Sequence, residues 1–138
     1  PVKIKLKPRP HFNVVVAIIW RKNKFYIQKR RADQMLAGLW EFPGGIVNKQ
    51  QNPELVLKQK VYEECGVQVK IIKKVGFVKH AFSHFTIRLS GYFCKEERYF
   101  LDENETRKWI LTKNIKNYSF PRANHKLFNQ LELNNWYA

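Results

Sequence analysis

A chain of 138 residues with 44% hydrophobic content suits one domain with a real core, and no apolar run approaches the roughly 20 residues that span a bilayer. Its formal net charge of +15 favours polyanions, nucleic acid first, over an anionic membrane, for which no amphipathic helix is evident. Two cysteines, Cys65 and Cys94, have neither metal-ligand spacing nor the density of a secreted scaffold, so both read as reduced packing residues of an intracellular protein.

Residues 1–10, framed by Pro1, Pro8 and Pro10, read as a basic extended arm or linker remnant ahead of a domain spanning 11–138. The chain opens on Pro1, which is compatible with processing or with excision from a longer protein. Residues 1–31 hold ten basic side chains and no acidic one, and Lys3, Lys5, Lys7, Arg30 and Arg31 are the expected phosphate contacts. Residues 14–20 form a β-branched run, 22–24 a turn and 25–30 an alternating strand, which together predict a hairpin. A short strand is expected at 40–42, followed by a Gly44-Gly45 turn and a loop.

Asn52 is a favoured N-cap, Pro53 suits the first helical position and Glu54 complements the positive helix end, so a helix starts near Pro53. It ends at Cys65, because Gly66 can take the left-handed conformation that closes a helix. At about 100° per residue, Lys60, Glu63 and Glu64 fall in one sector with Val56 and Val67. Residues 67–79 predict one or two strands around Gly76, and 85–90 alternate cleanly up to Gly91, read as a bulge. A strand at 107–111, a helical turn at 112–118 and a helix at 122–133 after Pro121 complete the reading. Mixed strands with a central and a C-terminal helix give an α+β sandwich.

The glycine turn and the carboxylate helix resemble the Nudix box: Gly, five residues, Glu, seven residues, then Arg-Glu-apolar-any-Glu-Glu-any-Gly-apolar. Gly45, Val61, Glu63, Glu64, Gly66 and Val67 match in register, whereas Gln51, Gln59 and Lys60 stand where that family has Glu, Arg and Glu. The resemblance implies a Nudix fold and a divalent-metal site against a nucleoside diphosphate. Lys60 inverts the local charge, so Glu63 and Glu64 are expected to hold at most a residual metal site, with no catalytic residue in the degenerate box.

Three further stretches narrow the resemblance: residues 36–45 (LAGLWEFPGG), residues 80–85 (HAFSHF) and residues 118–121 (YSFP). Together they look like the C-terminal domain of the adenine DNA glycosylase MutY, a Nudix fold that recognises 8-oxoguanine. That likeness implies a non-catalytic domain binding double-stranded DNA that contains 8-oxoguanine opposite adenine, joined to an N-terminal glycosylase domain. An iron–sulfur cluster is expected only in that missing domain and no cofactor in this one. Phe82, Ser83 and His84 are the lesion-binding candidates, because a ring can stack at a base step while hydroxyl and imidazole address base edges. The expected location is cytoplasmic, at a bacterial nucleoid, as a monomer.

The alternative is a freestanding hydrolase similar to MutT, which removes pyrophosphate from 8-oxo-dGTP with bound magnesium. Residues 120–124 (FPRAN) resemble the segment in which that family reads the purine, making Asn124 a base-reading candidate. A base outside the box remains open among Glu96, Glu97, Asp102, Glu103 and Glu105. A non-enzymatic RNA-binding or scaffold module is the third class.

Overall fold

The computed structural model describes residues 8–133, and none of its helices is long and apolar enough to cross a membrane. Its elements in chain order are β1 (His11–Arg21), β2 (Lys24–Lys29), β3 (Trp40–Glu41), β4 (Gly44–Val47), α1 (Pro53–Cys65), β5 (Gln68–Ala81), β6 (Thr86–Arg98), β7 (Arg107–Leu111), a 3-10 turn (Thr112–Asn117) and α2 (Arg122–Leu133). The strands form one mixed sheet of order β3-β2-β1-β6-β5, with β4 also paired to β1 and β7 to β2. β1 runs parallel to β6 over ten residue pairs and antiparallel to β2 and β4, so it is buried on both faces and reads as a continuous apolar run.

The two faces of the sheet carry separate cores. On one, Val16, Ile18, Phe25, Ile27 and Phe42 pack under Leu127, Phe128 and Leu131 of α2. On the other, Val15, Ala17, Ile19 and Tyr26 pack under Val56, Leu57 and Val61 of α1. The alternation of β1 deals its odd and even residues to opposite cores, which is why one strand can seat both helices.

The helix boundaries follow the local chemistry of the chain. The Asn52 side chain accepts hydrogen bonds from the Glu54 and Leu55 amides at 3.0 and 3.2 Å, and Gly66 closes α1 at φ 72°. Two sequence expectations are corrected, the turn at Gly44-Gly45 and the bulge at Gly91. Residues 44–47 form β4 rather than a turn, because Gly44 lets its backbone lie against β1, where a Cβ would overlap the Val15 carbonyl. Residues 68–81 form a single strand whose register shifts between Lys74 and Gly76, so the irregularity lies on β5 and not at Gly91. Gly91 instead makes room for α2, since a Cβ there would press on Leu127 at 3.2 Å and Ile18 at 3.3 Å.

Candidate active site

Gly44 and Gly45 pair with Val16 and Val15 of β1, and this draws the C-terminal half of α1 over the glycines. Lys60 and Glu64, one helical turn apart, line a cleft there with Arg30 and Glu41. Gln28 on β2 ties the carboxylates together. It is the register partner of Glu41 on β3, and its Nε2 donates to Glu64 Oε2 at 2.7 Å. Its Oε1 accepts from the Tyr26 hydroxyl at 3.2 Å and from Cys65 Sγ at 3.3 Å, so the amide orientation is set by donors on one side and a carboxylate on the other.

Burial pushes the Glu41 carboxyl up to about 7 and the nearby Glu64 charge adds to that push, while the Arg30 guanidinium at 3.0 Å opposes it. Burial also raises Glu64, against the stabilising hydrogen bond from Gln28, the charge of Lys60 and the Gly44 amide. Burial likewise raises the Cys65 thiol to about 11 and Cys94 to about 12, so neither is a thiolate at neutral pH, in keeping with their packing roles.

The other end of the cleft is aromatic. Phe82 and Phe85, on the loop between β5 and β6, stack with centroids 4.6 Å apart and planes at 26°, and Phe12 meets Phe85 edge-on at 6.0 Å. Asn124 in the first turn of α2 is 7% exposed, lines the same cleft and makes no side-chain hydrogen bond among the described residues. The whole cleft measures about 800 Å³, within the range of small-molecule sites.

The structure brings together only some of the residues singled out from sequence. Lys60, Glu64, Phe82 and Asn124 line the cleft. Ser83 and His84 are exposed and lie outside its lining. Glu63 is directed to Lys60 at 3.8 Å and to Gln59 Nε2 at 2.9 Å, so it does not share the cleft with Glu64. Gln51 accepts from the Asn48 amide at 2.9 Å and shapes the loop before α1. Arg30 bonds Glu41 and the Met35 carbonyl, and Arg31 pairs with Asp33 while both of those side chains stay exposed. Lys3, Lys5 and Lys7 lie outside the described residues.

Glu41 and Gln28 were not picked out from sequence. Their available signal was a polar side chain set among buried neighbours, Gln28 after Phe25, Tyr26 and Ile27, and Glu41 beside Phe42. None of the five acidic residues that left an outside base open lines the cleft, and two of them are otherwise employed. Glu96 pairs with Arg21 at 2.7 Å and accepts the Leu101 amide, and Glu103 accepts the Trp109 amide at 3.0 Å.

The resemblance to the Nudix box implies a divalent cation at this site. Among the described residues no three His, Cys, Asp or Glu side chains converge as a ready cage. Two carboxylates, Glu41 and Glu64, nevertheless stand on the cleft wall. A magnesium ion that arrives with a nucleotide needs only one or two carboxylates, with phosphate oxygens and water completing its shell. The donors present therefore fit a cation shared with a substrate.

The NUDIX domain family matches residues 14–130. An 8-oxo-dGTP diphosphatase of Buchnera aphidicola subsp. Schizaphis graminum is 30% identical over 120 residues, covering 87% of this chain and 92% of that protein. A second, from Buchnera aphidicola subsp. Acyrthosiphon pisum, is 32% identical over 117 residues and 83% and 91% of the two chains. The solution structure of the Escherichia coli ORF135 protein superposes with a TM-score of 0.78 at 25% identity, covering 92% of each chain. The crystal structure of a MutT protein from Methanosarcina mazei Go1 gives 0.80 at 19% identity, covering 94% and 99%.

These relatives overturn the reading as a non-catalytic recognition domain of an adenine DNA glycosylase, together with its partners, lesion-bearing duplex DNA and an upstream glycosylase domain. The chain aligns with about nine-tenths of the length of two proteins named as 8-oxo-dGTP diphosphatases, which are not domains of a glycosylase. The motifs at 36–45 and 118–121 are accounted for without one, since they build β3, β4 and the entry to α2. The match over residues 14–130 and the shared fold place this chain in the NUDIX domain family.

Proposed function

We propose that the protein is a nucleotide pyrophosphohydrolase that acts on an oxidised purine nucleoside triphosphate, releasing the nucleoside monophosphate and pyrophosphate. The carrying observation is a single cleft whose two ends suit the two ends of such a nucleotide. Carboxylates and cations occupy one end, and stacked phenyl rings with a buried amide the other. The names of the curated relatives point to the same substrate class.

At the base end, Phe82 and Phe85 offer apolar surface to a purine, and Asn124 offers a donor and an acceptor from one amide. Oxidation at C8 adds a carbonyl and converts N7 from an acceptor to a donor, so a group that presents both functions can read the change. At the phosphate end, Glu64 would hold the divalent cation, with its carboxylate oriented by Gln28. When bound, such a cation would supply charge neutralisation on the phosphates. Glu41 takes the proton of the attacking water: burial raises it to about 7, so at neutral pH it can both accept a proton and give it up. Arg30, at 3.0 Å from Glu41, keeps that carboxylate directed.

The test is incubation with 8-oxo-dGTP and Mg²⁺, following pyrophosphate and monophosphate. The expected result is multiple turnover, abolished in Glu64→Gln and strongly slowed in Glu41→Gln. Absence of turnover with either Mg²⁺ or Mn²⁺, or full activity in both variants, overturns the proposal.

A further inference from the structure

Lys60 stands in the Nudix box where the resemblance has a carboxylate, and the structure shows how the chain accommodates it. Its stem lies across Gly45. A Cβ at that glycine would meet Lys60 Cγ at 2.9 Å, Cδ at 3.0 Å and Cε at 3.2 Å. The missing side chain at Gly45 is therefore the passage by which Lys60 reaches the cleft that it lines with Glu64.

Its ammonium has one loose ion pair and no hydrogen bond among the described residues. The pair is with the Glu63 carboxylate, 3.8 Å away and beyond hydrogen-bond length. Glu64 already receives the Gln28 amide and Glu41 the Arg30 guanidinium. The cleft thus holds an ammonium with three donors at the end assigned to phosphate.

We infer that Lys60 is a phosphate-binding residue that grips the polyphosphate chain directly, so that this cleft retains nucleotide even without a divalent cation. The inference rests on the nucleotide reading above. A carboxylate at position 60 would repel phosphate unless metal intervened. An ammonium attracts it outright, and a charge-assisted hydrogen bond of this kind strengthens binding by about tenfold or more.

The experiment measures binding by titration calorimetry in excess EDTA, where no metal-dependent turnover intervenes. The probes are 8-oxo-dGTP, inorganic tripolyphosphate and the phosphate-free nucleoside 8-oxodeoxyguanosine. Wild type should bind both phosphorylated probes. Lys60→Met should weaken them about tenfold or more while leaving the nucleoside unchanged, and Lys60→Arg should restore most of the loss. Gly45→Ala, which pushes the stem aside, should reproduce the Lys60→Met defect.

Equal affinity of wild type and Lys60→Met for tripolyphosphate overturns the inference. So does wild-type binding of phosphorylated probes only after Mg²⁺ is added. Failure of hydrolysis with retained, Lys60-dependent binding of tripolyphosphate would instead remove the enzymatic proposal and leave this one standing.

Discussion

Glutamate 41 should make the stability of this protein fall as pH rises through the neutral range. Its side chain is 16% exposed, and burial is the largest cause of a shift from 4.5 to about 7. Between those two values the folded protein holds the proton more tightly than the unfolded chain, so the unfolding free energy decreases with pH. The contribution is fully present below about 4.5 and is lost as pH passes about 7. A shift of this size corresponds to about 3 kcal/mol, at 1.36 kcal/mol per pKa unit. Glu64 is also raised and adds the same sign, so replacing Glu41 removes only its own share. The assay is urea denaturation in EDTA at several pH values from 4.5 to 8, comparing wild type with Glu41→Gln. The gap in stability between the two should change by about 2–3 kcal/mol across the window, with the variant gaining on wild type as pH rises. Parallel curves for the two proteins would refute burial of Glu41 as the cause.

Gln28→Ala removes the amide that orients Glu64 and strands the Tyr26 hydroxyl. It should lower kcat, move the acidic limb of the kcat/KM profile to higher pH because Glu64 loses a hydrogen bond that favours its charged form, and cost about 1–3 kcal/mol of stability. An unchanged pH profile would show that Gln28 only packs. Asn124→Ala should reduce discrimination between 8-oxo-dGTP and dGTP by about 1–3 kcal/mol, read as the ratio of their kcat/KM values. Ser83→Ala with His84→Ala should leave nucleotide hydrolysis within about twofold of wild type, since both are exposed outside the cleft. Asn52→Ala should destabilise the fold by about 1 kcal/mol, measured by thermal unfolding, through loss of the α1 cap.

Local chemistry made most of the elements readable from the sequence. The cap at Asn52, the left-handed Gly66, the β-branched run of β1 and the proline before α2 each act within a few residues of where they appear. β4 was hidden because glycine is depleted in strands. Gly44 sits in one only because another backbone approaches it too closely for any side chain, which is a fact about β1 and not about residue 44. The motif around Phe82 drew attention to a loop that does border the cleft. Within it, the rings of Phe82 and Phe85 face inward while Ser83 and His84 turn to solvent, and no periodicity fixes that choice in a short turn.

The linear sequence by itself determined the helix ends, the strand candidates, the excess of positive charge and the register of Gly45, Glu63, Glu64 and Gly66, because these depend on neighbours in the chain. Only the tertiary structure decided which carboxylates share the cleft. Glu63 and Glu64 are adjacent yet diverge, one toward Gln59 and Lys60 and the other into the cleft. Glu41 is more than twenty residues away and meets Glu64 through Gln28, because β2 pairs with β3 while α1 packs over β4. A pKa near 7 at Glu41 and an open path for Lys60 over Gly45 likewise arise from burial and close approach between segments distant in sequence, and those are properties of packing.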